Sequence, residues 1–132
     1  MVVLMTETSD RRAVAILKSA DLRRTERWYT RVGFRVRGRH PASDPTWCEL
    51  ERNGTALQFL AGETPWPDEP ALTGCFYVYC DDVEAVYAEL RDQVHVEWGV
   101  EDREWGAREL VLRDPDGYFI TFIQSAQTVV ET

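Results

Sequence analysis

Two histidines, three cysteines and five tryptophans are the side chains in this 132-residue chain whose chemistry has to be weighed first. His40 stands in a polar turn before Pro41, and His95 falls near an exposed strand edge. Structural histidines at the surface or half-buried are commoner than catalytic ones, so neither is read as a general base. Cys48, Cys75 and Cys80 are odd in number and form no C-x-x-C pair, which argues against a disulfide framework and a structural zinc site alike. Cys75 lies in an apolar strand, surroundings that raise a thiol's pKa and leave it inert. The chain has no Gly-rich phosphate loop and no nucleophile elbow. The acidic pair Glu101-Asp102 reads as solvated loop charge.

Binding chemistry remains. Trp28 falls on a helix stripe and reads as core, whereas Trp47, Trp66, Trp98 and Trp105 fall in strands or loops. Trp47 and Glu49 share one strand face by the two-residue period, while Cys48 and Leu50 point to the other. Trp105-Gly106 sets a large flat ring beside a residue with no side chain, an arrangement suited to a ligand platform. Glu49, Glu101 and Glu104 could supply negative charge around such rings for a cation. Packing is the competing reading, because Trp is a large hydrophobe that cores readily use.

Composition narrows the partners. Fifteen basic against twenty-three acidic side chains give a formal charge of −8, which repels a phosphate backbone and leaves no basic footprint for nucleic acid. Such acidity attracts a cationic partner, though it also serves solubility alone. Hydrophobic content of 44% with 29% charged residues is that of a soluble globular protein. No apolar run approaches the roughly 18 residues that span a bilayer, and Met1 to Met5 lacks the pattern of a signal peptide. No membrane partner and a cytoplasmic location are therefore expected.

These residues must be positioned by short elements within one domain over 1–132. After an N-terminal arm over 1–12, a strand is predicted at Ala13 to Lys18, then a helix at Asp21 to Arg31 capped by Ser19 or Asp21 and stopped by Gly33. Its buried stripe is Leu22, Thr25, Trp28 and Tyr29. Strands follow at Phe34 to Arg39, Trp47 to Glu51 and Ala56 to Leu60, the last two joined by the hairpin signal Asn53-Gly54. The proline-rich stretch 61–72 can continue neither helix nor central strand and reads as a linker. The order then repeats over 73–124: a strand at Cys75 to Cys80, a helix capped by Asp81-Asp82 with Val83, Val86, Tyr87 and Leu90 inward, and strands at Val94 to Trp98, Ala107 to Arg113 and Tyr118 to Gln124. The last two are joined by Asp114-Pro115-Asp116-Gly117, a turn in which Pro presets φ and Gly takes positive φ. A tail over 125–132 completes the chain. The fold class is thus α+β, two βαβββ repeats whose curved sheets leave a concave cup opposite the helices, and cups of this kind hold small molecules.

The run W-G followed by D-P-D-G and an apolar strand, together with L-x-S-x-D-L, W-Y and V-G-F over 17–34, resembles the bleomycin resistance proteins within the vicinal oxygen chelate (glyoxalase) superfamily. Metal-dependent enzymes of that superfamily place four ligands on cup-facing strands, at positions that correspond here to Val14, Gln58, Cys75 and Thr121. Valine cannot bind a metal, and Gln and Thr are poor neutral ligands, so no metal, no cofactor and no catalytic residue are expected. The resemblance implies a homodimer, often with an exchanged N-terminal arm, that sequesters a planar cationic glycopeptide antibiotic without turning it over. The ligand-binding residues are then expected among Trp47, Glu49, Gln58, Cys75 and Tyr77 and among Trp98, Glu104, Trp105 and Thr121. The alternatives are a metal-dependent lyase, isomerase or dioxygenase with a rearranged site, and a sensor of another small molecule.

Overall fold

The computed structural model describes residues 14–125; the arm over 1–12, Ala13 at the start of the first predicted strand and the tail beyond Ser125 lie outside the described residues. The elements are β1 (Ala15–Lys18), α1 (Leu22–Arg31), β2 (Arg35–His40), β3 (Trp47–Arg52), β4 (Thr55–Leu60), β5 (Cys75–Tyr79), α2 (Val83–Leu90), β6 (Val96–Asp102), β7 (Ala107–Arg113) and β8 (Phe119–Ser125). They form two four-stranded sheets, ordered β1-β4-β3-β2 and β5-β8-β7-β6. In each sheet the first strand pairs parallel with the last, and the remaining pairs are antiparallel. The α+β fold of two βαβββ units is the one expected.

Local chemistry explains the boundaries. Both helices start at an aspartate whose carboxylate accepts from the backbone N–H three residues on, Asp21 from Arg24 at 3.1 Å and Asp82 from Ala85 at 3.1 Å. The β3–β4 hairpin turns through Asn53 and Gly54 with φ of 46° and 86°, the paired positive values of a type I′ turn. Every strand but β7 begins or ends one or more residues from its predicted span, and for two of them a local bond gives the reason. β6 begins at Val96, not Val94, because the N–H groups of Gln93 and Val94 both donate to the Leu90 carbonyl and hold that stretch to the end of α2. It then runs on to Asp102, paired with Arg108 across the following turn. β8 begins at Phe119 because the Tyr118 N–H is taken by the Asp114 carboxylate at 2.8 Å, and it continues through Ser125, one residue into the expected tail.

The two-residue period sorts each sheet into a helix-bearing face and an outer face. Cys48, Leu50, Leu57 and Phe59 from the first sheet join Val78, Leu110, Leu112, Ile120 and Phe122 from the second in one core with α1 and α2. Tyr29 anchors the first half, with Trp28, Phe34 and Phe59 around it at ring distances of 4.8, 5.3 and 5.1 Å. Each fully buried side chain of this size contributes roughly 1.5–3 kcal/mol.

The turn between β7 and β8 does more than reverse the chain. Asp116 accepts from the Ala20 N–H at 3.2 Å, from Arg24 Nη2 at 3.0 Å and from Thr25 Oγ1 at 3.2 Å, all on the first half. Asp114 accepts from the Tyr29 hydroxyl at 2.7 Å, and the Tyr118 hydroxyl donates to the Lys18 carbonyl at 2.7 Å. Arg52 lays its guanidinium over the Phe122 ring at 4.9 Å. The halves are therefore pinned by polar contacts, the Tyr29–Asp114 bond among them buried, as well as by the shared core, so the orientation of the two outer faces is set by specific bonds.

Candidate ligand-binding faces

The outer face of the first sheet carries Trp47, Glu49 and Gln58. Period-two geometry puts them opposite Cys48, Leu50 and Leu57. Their polar atoms form one chain: Trp47 Nε1 donates to Gln58 Oε1 at 3.1 Å, and Gln58 Nε2 donates to Glu49 Oε1 at 2.8 Å. Arg37 Nη1 lies 3.7 Å from Glu49 Oε2. The Trp47 ring lies across Gly38, where a β-carbon would stand 3.5 Å from the ring. Glu49, expected to supply negative charge around the tryptophan rings, is only 6% exposed and is an internal partner of Gln58 and Arg37.

The outer face of the second sheet is built differently. Tyr77 and Tyr79 project from β5, Trp98 from β6, Glu109 from β7 and Thr121 from β8, with Tyr77 and Thr121 directly opposite in register. Tyr77, Tyr79 and Trp98 remain 42%, 62% and 51% exposed. Tyr77 and Tyr79 meet edge to face at 6.3 Å, and Trp98 meets Phe119 at 5.8 Å. Glu109, beside Tyr77, is 4% exposed and accepts from the Tyr77 hydroxyl at 2.9 Å and from Arg103 Nε at 3.2 Å. The same arginine reaches Glu101 through Nη1 at 2.8 Å. The hydrogen bond to Glu109 comes first among the causes that raise the Tyr77 pKa, so its hydroxyl stays a donor. Sequence reasoning missed Glu109, Arg103 and Arg37. The available signal was a carboxylate in mid-strand on the outer face of ARELVLR, six residues after an arginine.

Glu104 and Trp105 stand on the turn between β6 and β7, with Trp105 66% exposed and Gly106 at φ 85° bonding back to the Arg103 carbonyl. Cys75 is exposed at the start of β5, and Trp66 is exposed on the loop before it. The nine predicted site residues thus divide between the sheets. Trp47, Glu49 and Gln58 are brought together on the first, Tyr77 and Thr121 on the second, with Trp98, Cys75, Glu104 and Trp105 around the latter. Two pockets lie elsewhere. One of about 650 Å³ is lined by Asp21, Glu26, Arg27 and Arg39 beside α1, and one of about 340 Å³ by Asp102, Arg103, Arg108 and Gln124 beneath the Trp105 turn.

The four positions that hold metal in the superfamily's enzymes do not fit one. Val14 offers hydrocarbon, Gln58 spends its amide on Trp47 and Glu49, and Thr121 is buried beside Tyr77. Among the described residues no three of His, Cys, Asp and Glu lie close enough to share an ion. Burial pushes the Cys48 thiol up to about 12 and raises that of Cys80, which removes both as nucleophiles at neutral pH. His95 is exposed and meets Glu97, itself paired with Arg113.

Residues 13–122 match the model of the Glyoxalase/Bleomycin resistance protein/Dioxygenase superfamily, and the chain belongs to that family. No curated protein matches it in sequence. Among solved structures it is similar to a bleomycin-binding protein crystallised with bleomycin, at 27% identity and a TM-score of 0.66 over 87% of this chain and 98% of that one. It is also similar to the bleomycin resistance determinant encoded on transposon Tn5, at 27% identity and a TM-score of 0.64 over 87% and 98%. The antibiotic-binding protein TnmS3 from Streptomyces sp. CB03234 shares the fold at 24% identity and a TM-score of 0.71 over 91% and 99%. Among the described residues no helix is long and apolar enough to cross a membrane.

Proposed function

We propose that this chain binds a flat, cationic antibiotic of the bleomycin kind and holds it unmodified, so that protection comes from sequestration. The observation that carries the reading is the uncovered aromatic face of the second sheet, with Tyr77, Tyr79 and Trp98 exposed and the buried Glu109 carboxylate bonded to Tyr77, on a chain of net charge −8. Aromatic faces attract organic cations, more strongly where water is excluded. The similarity to a protein crystallised with bleomycin supports the choice of ligand. The protein acts as a single-domain homodimer in the cytoplasm. A sponge needs affinity and no nucleophile, and the buried Cys48 thiol and bonded Gln58 suit that role better than turnover.

The test is titration with bleomycin followed by tryptophan fluorescence, with the drug then recovered and its mass measured. Saturable quenching with recovery of intact drug is expected. Absence of binding, or a drug returned with altered mass, overturns the reading.

A further inference from the structure

We propose that Gln58 is a positioning residue for ligand binding: its amide, held by Glu49, fixes the Trp47 indole as a preset stacking surface on the outer face of the first sheet. The inference rests on the antibiotic-binding reading for its biological ligand, while the fixing of the ring stands on the geometry of the chain itself. An indole N–H can only donate, and a carboxylate beside a guanidinium accepts. Gln58, between the two, satisfies both in one orientation alone, with Oε1 toward Trp47 Nε1 at 3.1 Å and Nε2 toward Glu49 Oε1 at 2.8 Å. A flipped amide would set its NH2 group against the indole N–H. Gln58 and Glu49 are both buried, so an amide left unpaired there is costly.

The placement of the ring has a second cause, in β2. The register between β2 and β3 shifts between Val36 and Gly38, so Val36 packs inward opposite Leu50 while Gly38, two residues on, lies opposite Glu49 on the outer face. Without the extra residue Arg37 the two would share a face. The bulge thus brings a residue with no side chain against the Trp47 ring, which stands 3.5 Å from where a β-carbon would be, and places Arg37 Nη1 3.7 Å from Glu49 Oε2. Trp47 is pinned at its edge by Gln58, backed by Gly38 and only half-buried, which leaves ring surface for a ligand. Ordering this large side chain on folding removes that cost from binding, which is how preorganisation raises affinity. Because Nε1 is already spent on Gln58, Trp47 offers its ring face only: it takes a flat unsaturated group by stacking, or a cation over the ring, and donates no hydrogen bond to either.

A double-mutant cycle between Gln58 and Trp47 tests this, read with bleomycin and, separately, with ethidium as a second flat cation. Gln58→Leu should speed solvent exchange of the Trp47 Nε1–H in proton–nitrogen correlation spectra, where that resonance is assigned by its loss in Trp47→Phe. It should also weaken binding of both probes roughly tenfold, the upper end for ordering one side chain. In the Trp47→Phe background, where the ring has no N–H to hold, the same substitution should cost nothing further. Gln58→Met, of like length and with only a weak acceptor, should repeat the pattern and takes the place of the leucine variant if that fails to fold. Equal losses in both backgrounds mean that Gln58 serves the sheet alone and overturn the proposal, as does an indole exchange rate that Gln58→Leu leaves unchanged. If ethidium shows the coupling while bleomycin does not bind the wild type, the positioning stands and the antibiotic reading falls. If bleomycin binds every variant equally, the positioning falls and the antibiotic reading stands; if neither probe binds the wild type, both fall.

Discussion

Asp114→Asn should make the stability of this protein less dependent on pH in a direction opposite to ordinary acid denaturation. Burial between the halves raises the Asp114 pKa from 3.8 to about 6, against the lowering effect of hydrogen bonds from Tyr29, Tyr118 and Asp116. The folded state therefore holds this proton more tightly than the unfolded chain. A raised carboxyl contributes most below its unfolded value and loses that contribution as pH climbs through the folded value. The full span is about 3 kcal/mol at 1.36 kcal/mol per unit, of which about 1.4 kcal/mol is lost between pH 5 and pH 7.5. Urea unfolding at pH 5, 6 and 7.5 measures it. The difference between wild type and Asp114→Asn should shift against the wild type by about 1.4 kcal/mol over that range. A difference that stays constant with pH, or that favours the wild type as pH rises, would refute the linkage and with it the picture of Asp114 as a desolvated carboxylate at the junction.

Four other outcomes follow from the same structure. Tyr29→Phe removes the 2.7 Å bond to Asp114, and should cost about 1.5–3 kcal/mol in urea unfolding, the value of a hydrogen bond to a charged group. Trp105→Ala, at a highly exposed ring, should leave the melting temperature unchanged while lowering bleomycin affinity roughly 30-fold, the effect of losing an aromatic anchor worth about 2 kcal/mol. Light scattering at micromolar concentration should give the mass of a dimer, and a monomeric mass would overturn the proposed assembly. Dialysis against a chelator should change neither melting temperature nor drug binding, since Val14, Gln58, Cys75 and Thr121 complete no first shell; one bound divalent ion per chain in elemental analysis would contradict this.

Much of the architecture could be read directly from the residues. The capping aspartates Asp21 and Asp82, the Asn53-Gly54 hairpin and the alternation of Leu110, Leu112, Ile120 and Phe122 are local signals, each acting within a few residues, and each corresponds to an observed cap, turn or core face. Alternation also told that Trp47 and Glu49 share a face. What it could not tell is whether a face is covered, or by what. Glu49 is expected from its strand face to lend charge to the rings, yet it is buried and accepts from Gln58 on the neighbouring strand; Glu109 carries no local mark of its partners, since Tyr77, 32 residues earlier, gives it a hydroxyl. The start of β6 falls at Val96 and not at the expected Val94 because the competing partner, the Leu90 carbonyl, belongs to the end of a helix whose last turn the pattern does not mark. The turn Asp114-Pro115-Asp116-Gly117 shows both sides of the matter. Its reversal of the chain is written in its own four residues, whereas the burial of its carboxylates against Ala20, Arg24, Thr25 and Tyr29 depends on two halves packing together. Backbone conformation and facing are decided by neighbours in the chain, so the sequence determined them; desolvation and pairing of a charge are decided by whatever lies within a few ångströms in space, and only the tertiary structure supplied that.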